Sequence, residues 1–75
     1  MCRGQTGSAT NLNYTRVLIG YTDSLRICVM VRGESAANGF TYDKRTKKCF
    51  AITDAKFINH RDTCCESCIF DKGKI

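Results

Sequence analysis

Apolar and polar positions along this chain fall into short blocks separated by Gly, Asn, Asp and Thr, with no single long period. Tyr14-Thr15-Arg16-Val17-Leu18-Ile19 carries β-branched and aromatic residues up to Gly20 and predicts a strand ending in a turn. Thr22 to Gly33 encloses an apolar run that fits either a helix or a fully buried strand, and its ends favour the helix. Thr22 or Asp23 supplies an N-cap, Leu25, Cys28 and Val29 share one face, and Gly33 supplies a left-handed stop. Asn38-Gly39 predicts a turn. Beyond it, Phe40-Thr41-Tyr42, the polar connection Asp43 to Thr46, and Lys47 to Ile52 predict a hairpin. Ala55 to Asn59 and Glu66 to Asp71 predict two further short strands. Met1 to Asn13, rich in Gly, Ser, Thr and Asn, predicts an irregular lead held by Cys2, and Lys72 to Ile75 a basic tail. The expected core is Leu25, Val29, Phe40, Tyr42, Phe50 and Ile52.

A chain of 75 residues fits one domain, residues 1–75, whose hydrophobic core is marginal unaided. The six cysteines, Cys2, Cys28, Cys49, Cys64, Cys65 and Cys68, are an even set in a short chain, which predicts a disulfide-stapled α+β domain from an oxidising, secreted or extracellular setting. Spacing alone leaves their pairing open. The longest apolar stretch, Ile27 to Val31, is far shorter than the roughly 18–20 residues that span a bilayer, so no membrane insertion is expected. Asn13-Tyr14-Thr15 is a glycosylation sequon that agrees with secretion and makes Asn13 a candidate acceptor.

The formal charge of +5 favours acidic partners. Lys44, Arg45, Lys47 and Lys48 cluster at the hairpin connection, a candidate contact for a sulfated or sialylated glycan, beside the plain reading of a solvated turn. No nucleic-acid-binding motif is present, and no nucleic-acid partner is expected. His60 with Cys64, Cys65 and Cys68 spells a Cys3His zinc set on paper. Adjacent cysteines rarely share one metal, however, and the set leaves Cys2 and Cys28 without a role, so neither metal nor cofactor is expected. A Cys-His dyad needs a free thiol in a chain expected to be oxidised, and no hydrolase motif occurs. These features point to recognition rather than catalysis.

In order and spacing, Ser24-Leu25-Arg26-Ile27-Cys28, Gly39-Phe40-Thr41-Tyr42-Asp43-Lys44 and Thr46-Lys47-Lys48-Cys49-Phe50 resemble the PAN/apple domain family. Leu18-Ile19-Gly20 stands where the family enters its helix, and Ile69-Phe70-Asp71-Lys72 is similar to its closing strand, so the resemblance covers nearly the whole chain. It implies an antiparallel sheet with one helix packed across it and a Cys28–Cys49 bridge between helix and hairpin. That implied bridge closes a loop of about 20 residues, worth roughly 3 kcal/mol by loop entropy. Members with a second helix bridge carry cysteines where this chain has Arg32 and Ala37, and both are absent together. Cys64-Cys65-Glu66-Ser67-Cys68 offers three partners for Cys2 where the family has one.

The resemblance also implies an extracellular recognition or adhesion module that binds a protein or carbohydrate. Such a module would be one unit of a larger adhesin, such as the parasite microneme proteins stored in a secretory organelle. The ending Cys64 to Cys68 is also similar to that of the von Willebrand factor C module. The competing expectation is a standalone secreted inhibitor or toxin-like blocker of a protease or channel, presenting residues 33–39 or 43–46.

Overall fold

The computed structural model describes residues 3–31 and 37–70. In chain order its elements are β1 (Gln5–Thr6), β2 (Ser8–Thr10), β3 (Val17–Tyr21), α1 (Leu25–Val31), β4 (Ala37–Asp43), β5 (Lys48–Thr53), β6 (Phe57–Asn59) and β7 (Cys65–Ile69). Five strands form one antiparallel sheet in the order β1-β7-β4-β5-β3, and β2 and β6 form a separate antiparallel pair. The protein is a small disulfide-stapled α+β fold, with one helix among the described residues.

The period-2 alternation of the hairpin accounts for the layering. Along β5, Cys49 and Ala51 face the helix and join Cys28, Val29, Phe40 and Cys68 in one core cluster. Phe50 and Ile52 face the opposite way and pack with Ala9, Ala55, Ile58 and Ile69. The helix thus covers one face of the five-stranded sheet and the β2–β6 pair covers the other. Central β4 is therefore buried from Asn38 to Tyr42 without interruption, polar residues included. Of the expected core, Val29, Phe40, Tyr42 and Ile52 are buried, while Leu25 and Phe50 are partly so.

The buried polar residues of this centre form a directed chain of hydrogen bonds. The Ser67 hydroxyl donates to the Gly7 carbonyl (2.6 Å), so in its 2.9 Å contact with Thr41 the threonine hydroxyl is the donor. The Ala9 amide donates to both hydroxyl oxygens, at 2.9 Å each. No buried side-chain nitrogen or oxygen among the described residues lacks a partner.

Several expectations are corrected. Residues 5–10 are not an irregular lead: β1 adds to the sheet edge at β7, and β2 pairs with β6. The third strand starts at Val17 rather than Tyr14 and runs through Gly20, because Tyr14 sits at φ 55° and Gly20 occupies a bulge at φ 155°. The helix is capped by Ser24, not by Thr22 or Asp23. An N-cap side chain reaches the amide three residues on, and Ser24 Oγ accepts Ile27 N at 3.2 Å, while the Thr22 hydroxyl donates to the Ser24 carbonyl. Asn38-Gly39 is not a turn. Asn38 clamps the Asp54-Ala55 corner, accepting Ala55 N (2.7 Å) and donating to Ala55 O (3.1 Å), and a Cβ on Gly39 would lie 2.6 Å from that of Ala55. The last two strands are shorter than expected, at Phe57–Asn59 and Cys65–Ile69. Gly33, Arg32, Cys2 and the tail Lys72 to Ile75 lie outside the described residues.

Candidate functional site

Asn11 is a buried side chain around which an exposed loop is wound. Its carboxamide oxygen accepts the amides of Asn13 (3.0 Å) and Thr15 (3.1 Å), and its nitrogen donates to Thr15 Oγ1 (2.9 Å) and the Thr53 carbonyl (2.7 Å). The Tyr14 amide donates to the Asn11 carbonyl at 3.1 Å. This winding holds Tyr14 in the left-handed region, which a bulky residue adopts only where its surroundings impose it. The imposed conformation presents a side chain that packs little: Tyr14 is 80% exposed. An aromatic side chain presented to solvent from a hydrogen-bonded loop marks a contact surface more than a core.

Tyr14 lines an open groove of about 380 Å3 together with Phe57 of β6, itself 45% exposed, and with Thr10, Arg16, Asn59 and Asp62. The polar members are themselves positioned. The Arg16 guanidinium stacks over the Phe50 ring, 4.1 Å from its centre. Asn59 Oδ1 accepts Arg61 N (3.1 Å) and the Asn59 carbonyl accepts Asp62 N (3.2 Å), fixing the turn that carries Asp62. Two aromatic surfaces beside an amide, a carboxylate and a guanidinium supply apolar stacking and paired hydrogen bonds, a combination suited to a hydroxyl-bearing ring. A second hollow of about 410 Å3 abuts the same loop at Leu12, Asn13 and Lys56. Asn13, the candidate glycosylation site, is exposed, and the sequon residue Thr15 has a structural task as acceptor for Asn11.

Lys44, Arg45 and Lys47 are exposed in the β4–β5 turn and Lys48 is half-buried at the start of β5. Asp43 organises the turn, its Oδ1 accepting Arg45 N (2.9 Å) and Thr46 N (3.3 Å). The Arg45 amide, with help from the Thr46 amide and the Arg45 charge, holds the Asp43 carboxyl below its ordinary value, so it stays ionised further into acid than a free aspartate. Arg45 also pairs with Asp43 at 3.9 Å and Lys47 with Asp23 at 3.5 Å. The Lys47–Asp23 pair is exposed and Asp43 is half-buried, and the two pairs leave the cluster's net positive charge available.

Cys28 and Cys49 are joined, Cα atoms 5.5 Å apart, in the pairing that the family resemblance implies. Cys64 and Cys65 are joined to each other, which removes both as partners for Cys2. Cys68 is disulfide-bonded as well, while Cys2 lies outside the described residues. His60 is exposed, and its Nδ1 lies 2.7 Å from the Thr6 carbonyl, a donor's position that ties the β6–β7 turn to β1. Of the loops considered for an inhibitor, residues 33–36 lie outside the described residues, 37–39 lie inside β4, and 43–46 run from the last residue of β4 into the basic turn.

The groove residues Tyr14, Phe57, Asn59 and Asp62 were not legible as a site from the residue pattern. The available signal was Asn11-Leu12-Asn13, since asparagines bond readily to backbone a few residues on and tolerate turns. Compared with protein-family models, curated proteins and solved structures, the chain matches none. Among the described residues no helix is long and apolar enough to cross a membrane.

Proposed function

We propose that this chain is an extracellular, PAN/apple-like recognition module that binds a glycan in the groove between the Asn11 loop and β6, as one unit of a larger adhesin. The observation that carries the reading is Tyr14, forced to positive φ by a buried asparagine and left exposed beside Phe57 among polar side chains. Sugar rings offer an apolar face to stack on an aromatic and hydroxyls to engage Arg16, Asn59 and Asp62. Titrating the isotope-labelled oxidised protein with neutral and acidic oligosaccharides tests this. Amide shifts are expected at residues 10–16 and 57–62, and Tyr14→Ala or Phe57→Ala is expected to weaken the best ligand about tenfold or more, near 1.4 kcal/mol. No shift at these residues with any oligosaccharide class would overturn the proposal.

The basic turn supports a second, electrostatic contact with sulfated glycans. The variant with Lys44, Arg45, Lys47 and Lys48 replaced by serine is expected to lose retention on immobilised heparin, while the native chain elutes earlier as salt rises. Equal elution of the two proteins would return the cluster to a solvated turn.

A further inference from the structure

In the loop wound around Asn11, the second asparagine has no structural task. The fold uses only the backbone amide of Asn13, bonded to Asn11 Oδ1 at 3.0 Å; its carboxamide is exposed and has no hydrogen-bond partner among the described residues. Thr15, two residues on, is held in place by Asn11. Its hydroxyl oxygen accepts the Asn11 carboxamide nitrogen at 2.9 Å, which leaves the hydroxyl proton free to donate. An exposed asparagine followed, past a residue other than proline, by threonine is the acceptor pattern for N-linked glycans. Asn13 also lines the hollow of about 410 Å3, with Leu12 and Lys56. Leu12 is 76% exposed, and the Lys56 ammonium has no ion pair among the described residues, while the Lys56 backbone is anchored to the Thr10 carbonyl at 2.9 Å.

We propose that Asn13 carries an N-linked glycan whose first N-acetylglucosamine lies in this hollow, over Leu12 and within reach of Lys56. The inference rests on the secreted setting and is independent of ligand binding in the groove. In the attachment step Asn13 Nδ2 gives up one proton and bonds to C1 of the first sugar. The bond from C1 to the pyrophosphate of a lipid-linked oligosaccharide donor breaks, and the pyrophosphate leaves with the electron pair. The hollow suits that sugar on two counts. Its acetamido methyl and one ring face are apolar and cover Leu12, and its acetamido carbonyl and hydroxyls accept hydrogen bonds from the Lys56 ammonium. Phe57, next in sequence to Lys56, lines the other hollow, as does Tyr14, and Thr15 lines both. The seated sugar therefore stands across the loop from the groove and leaves the groove open.

Expression of the full chain behind a cleavable leader in a eukaryotic host, followed by mass spectrometry, tests the attachment. The expected product is heavier than the chain by one N-linked glycan, and Asn13→Gln returns it to the unmodified mass. Trimming with an endoglycosidase that leaves a single N-acetylglucosamine tests the seat. Relative to Asn13→Gln, the trimmed protein is expected to show amide shifts at Thr53 to Lys56 with residues 57–62 unmoved. Leu12→Ala is expected to remove the shifts at Thr53 to Lys56 without changing the mass. Oxidised chain recovered from the host's secretory compartments without a glycan would overturn the proposal. So would shifts confined to residues 12–14, shifts that fall on residues 57–62, or shifts that survive Leu12→Ala.

Discussion

Replacing Cys28 and Cys49 together by alanine is expected to destabilise the protein by about 2–5 kcal/mol, a large part of the 5–15 kcal/mol that holds a typical domain together. Both sulfurs are fully buried, and their bond is the sole covalent link between α1 and the sheet among the described residues. The helix has seven residues, well below the roughly 12–15 at which an isolated helix becomes even marginal in water, so its persistence depends on the sheet beneath it. It offers that sheet only Cys28 and Val29 as buried side chains, with Leu25 partly so. Removing the bridge frees a loop of about 20 residues in the unfolded chain and leaves Val29 and Leu25 to hold the helix. Urea denaturation followed by circular dichroism gives the measurement. Cys64→Ala with Cys65→Ala is the control, because a bridge between neighbours closes almost no loop and its entropic share is about 1 kcal/mol. Equal losses in the two double variants would show that the helix is held by packing alone.

Gly7→Ala is expected to cost about 3–5 kcal/mol, combining left-handed backbone strain with overpacking that cannot relax. Gly7 is the hinge where the chain leaves β1 in the large sheet for β2 in the small one, at φ 129°. Its amide donates to Cys65 O at 2.8 Å and its carbonyl accepts the Ser67 hydroxyl, so the backbone is anchored on both sides. A Cβ there would lie 2.4 Å from the Asn59 carbonyl oxygen, backbone that belongs to the small sheet. Gly20→Ala separates the two causes. Gly20 also has positive φ, but a Cβ there meets nothing within 4 Å, so only the conformational share remains, about 1 kcal/mol. Comparable urea midpoints for the two variants would mean that the tight approach at Gly7 relaxes at little cost.

The parts of the fold legible in the sequence are those whose side chains announce a solvent face or a buried one. Phe40-Thr41-Tyr42, the polar connection and Cys49 to Ile52 alternate as a hairpin must, and the apolar run at Leu25 to Val31 carries a helix, though its cap stands one or two residues later than expected. The first strands were illegible because they are built from small polar residues. Gln5-Thr6 and Ser8-Ala9-Thr10 look like loop by composition, yet Ala9 is buried against two hydroxyls whose bonds no local pattern reveals. Asn38-Gly39 misled for the same reason: an amide that suits a turn is used as a clamp between distant segments. The basic cluster at the hairpin connection was visible in the sequence, since charge needs no tertiary partner to be seen, although Lys47 belongs to the turn, at φ 63°, and not to the strand. The groove was missed, because Tyr14 becomes a site only once Asn11 and Thr53, 42 residues apart, are bonded.

The Gly7–Ser67 hydrogen bond spans 60 residues, and Ala9 reaches Ser67 across 58. On a ribosome, therefore, the first strands emerge with nothing to pair with, and the hairpin of β4 and β5 is complete before β7 exists. Closing so large a loop carries an entropic cost that local contacts do not repay, so folding is expected to be slow for a chain this short. Until β7 arrives, the unpaired β4 edge is open to other chains, which makes the interval of synthesis between Asp43 and Ile69 the period of greatest exposure to misassembly.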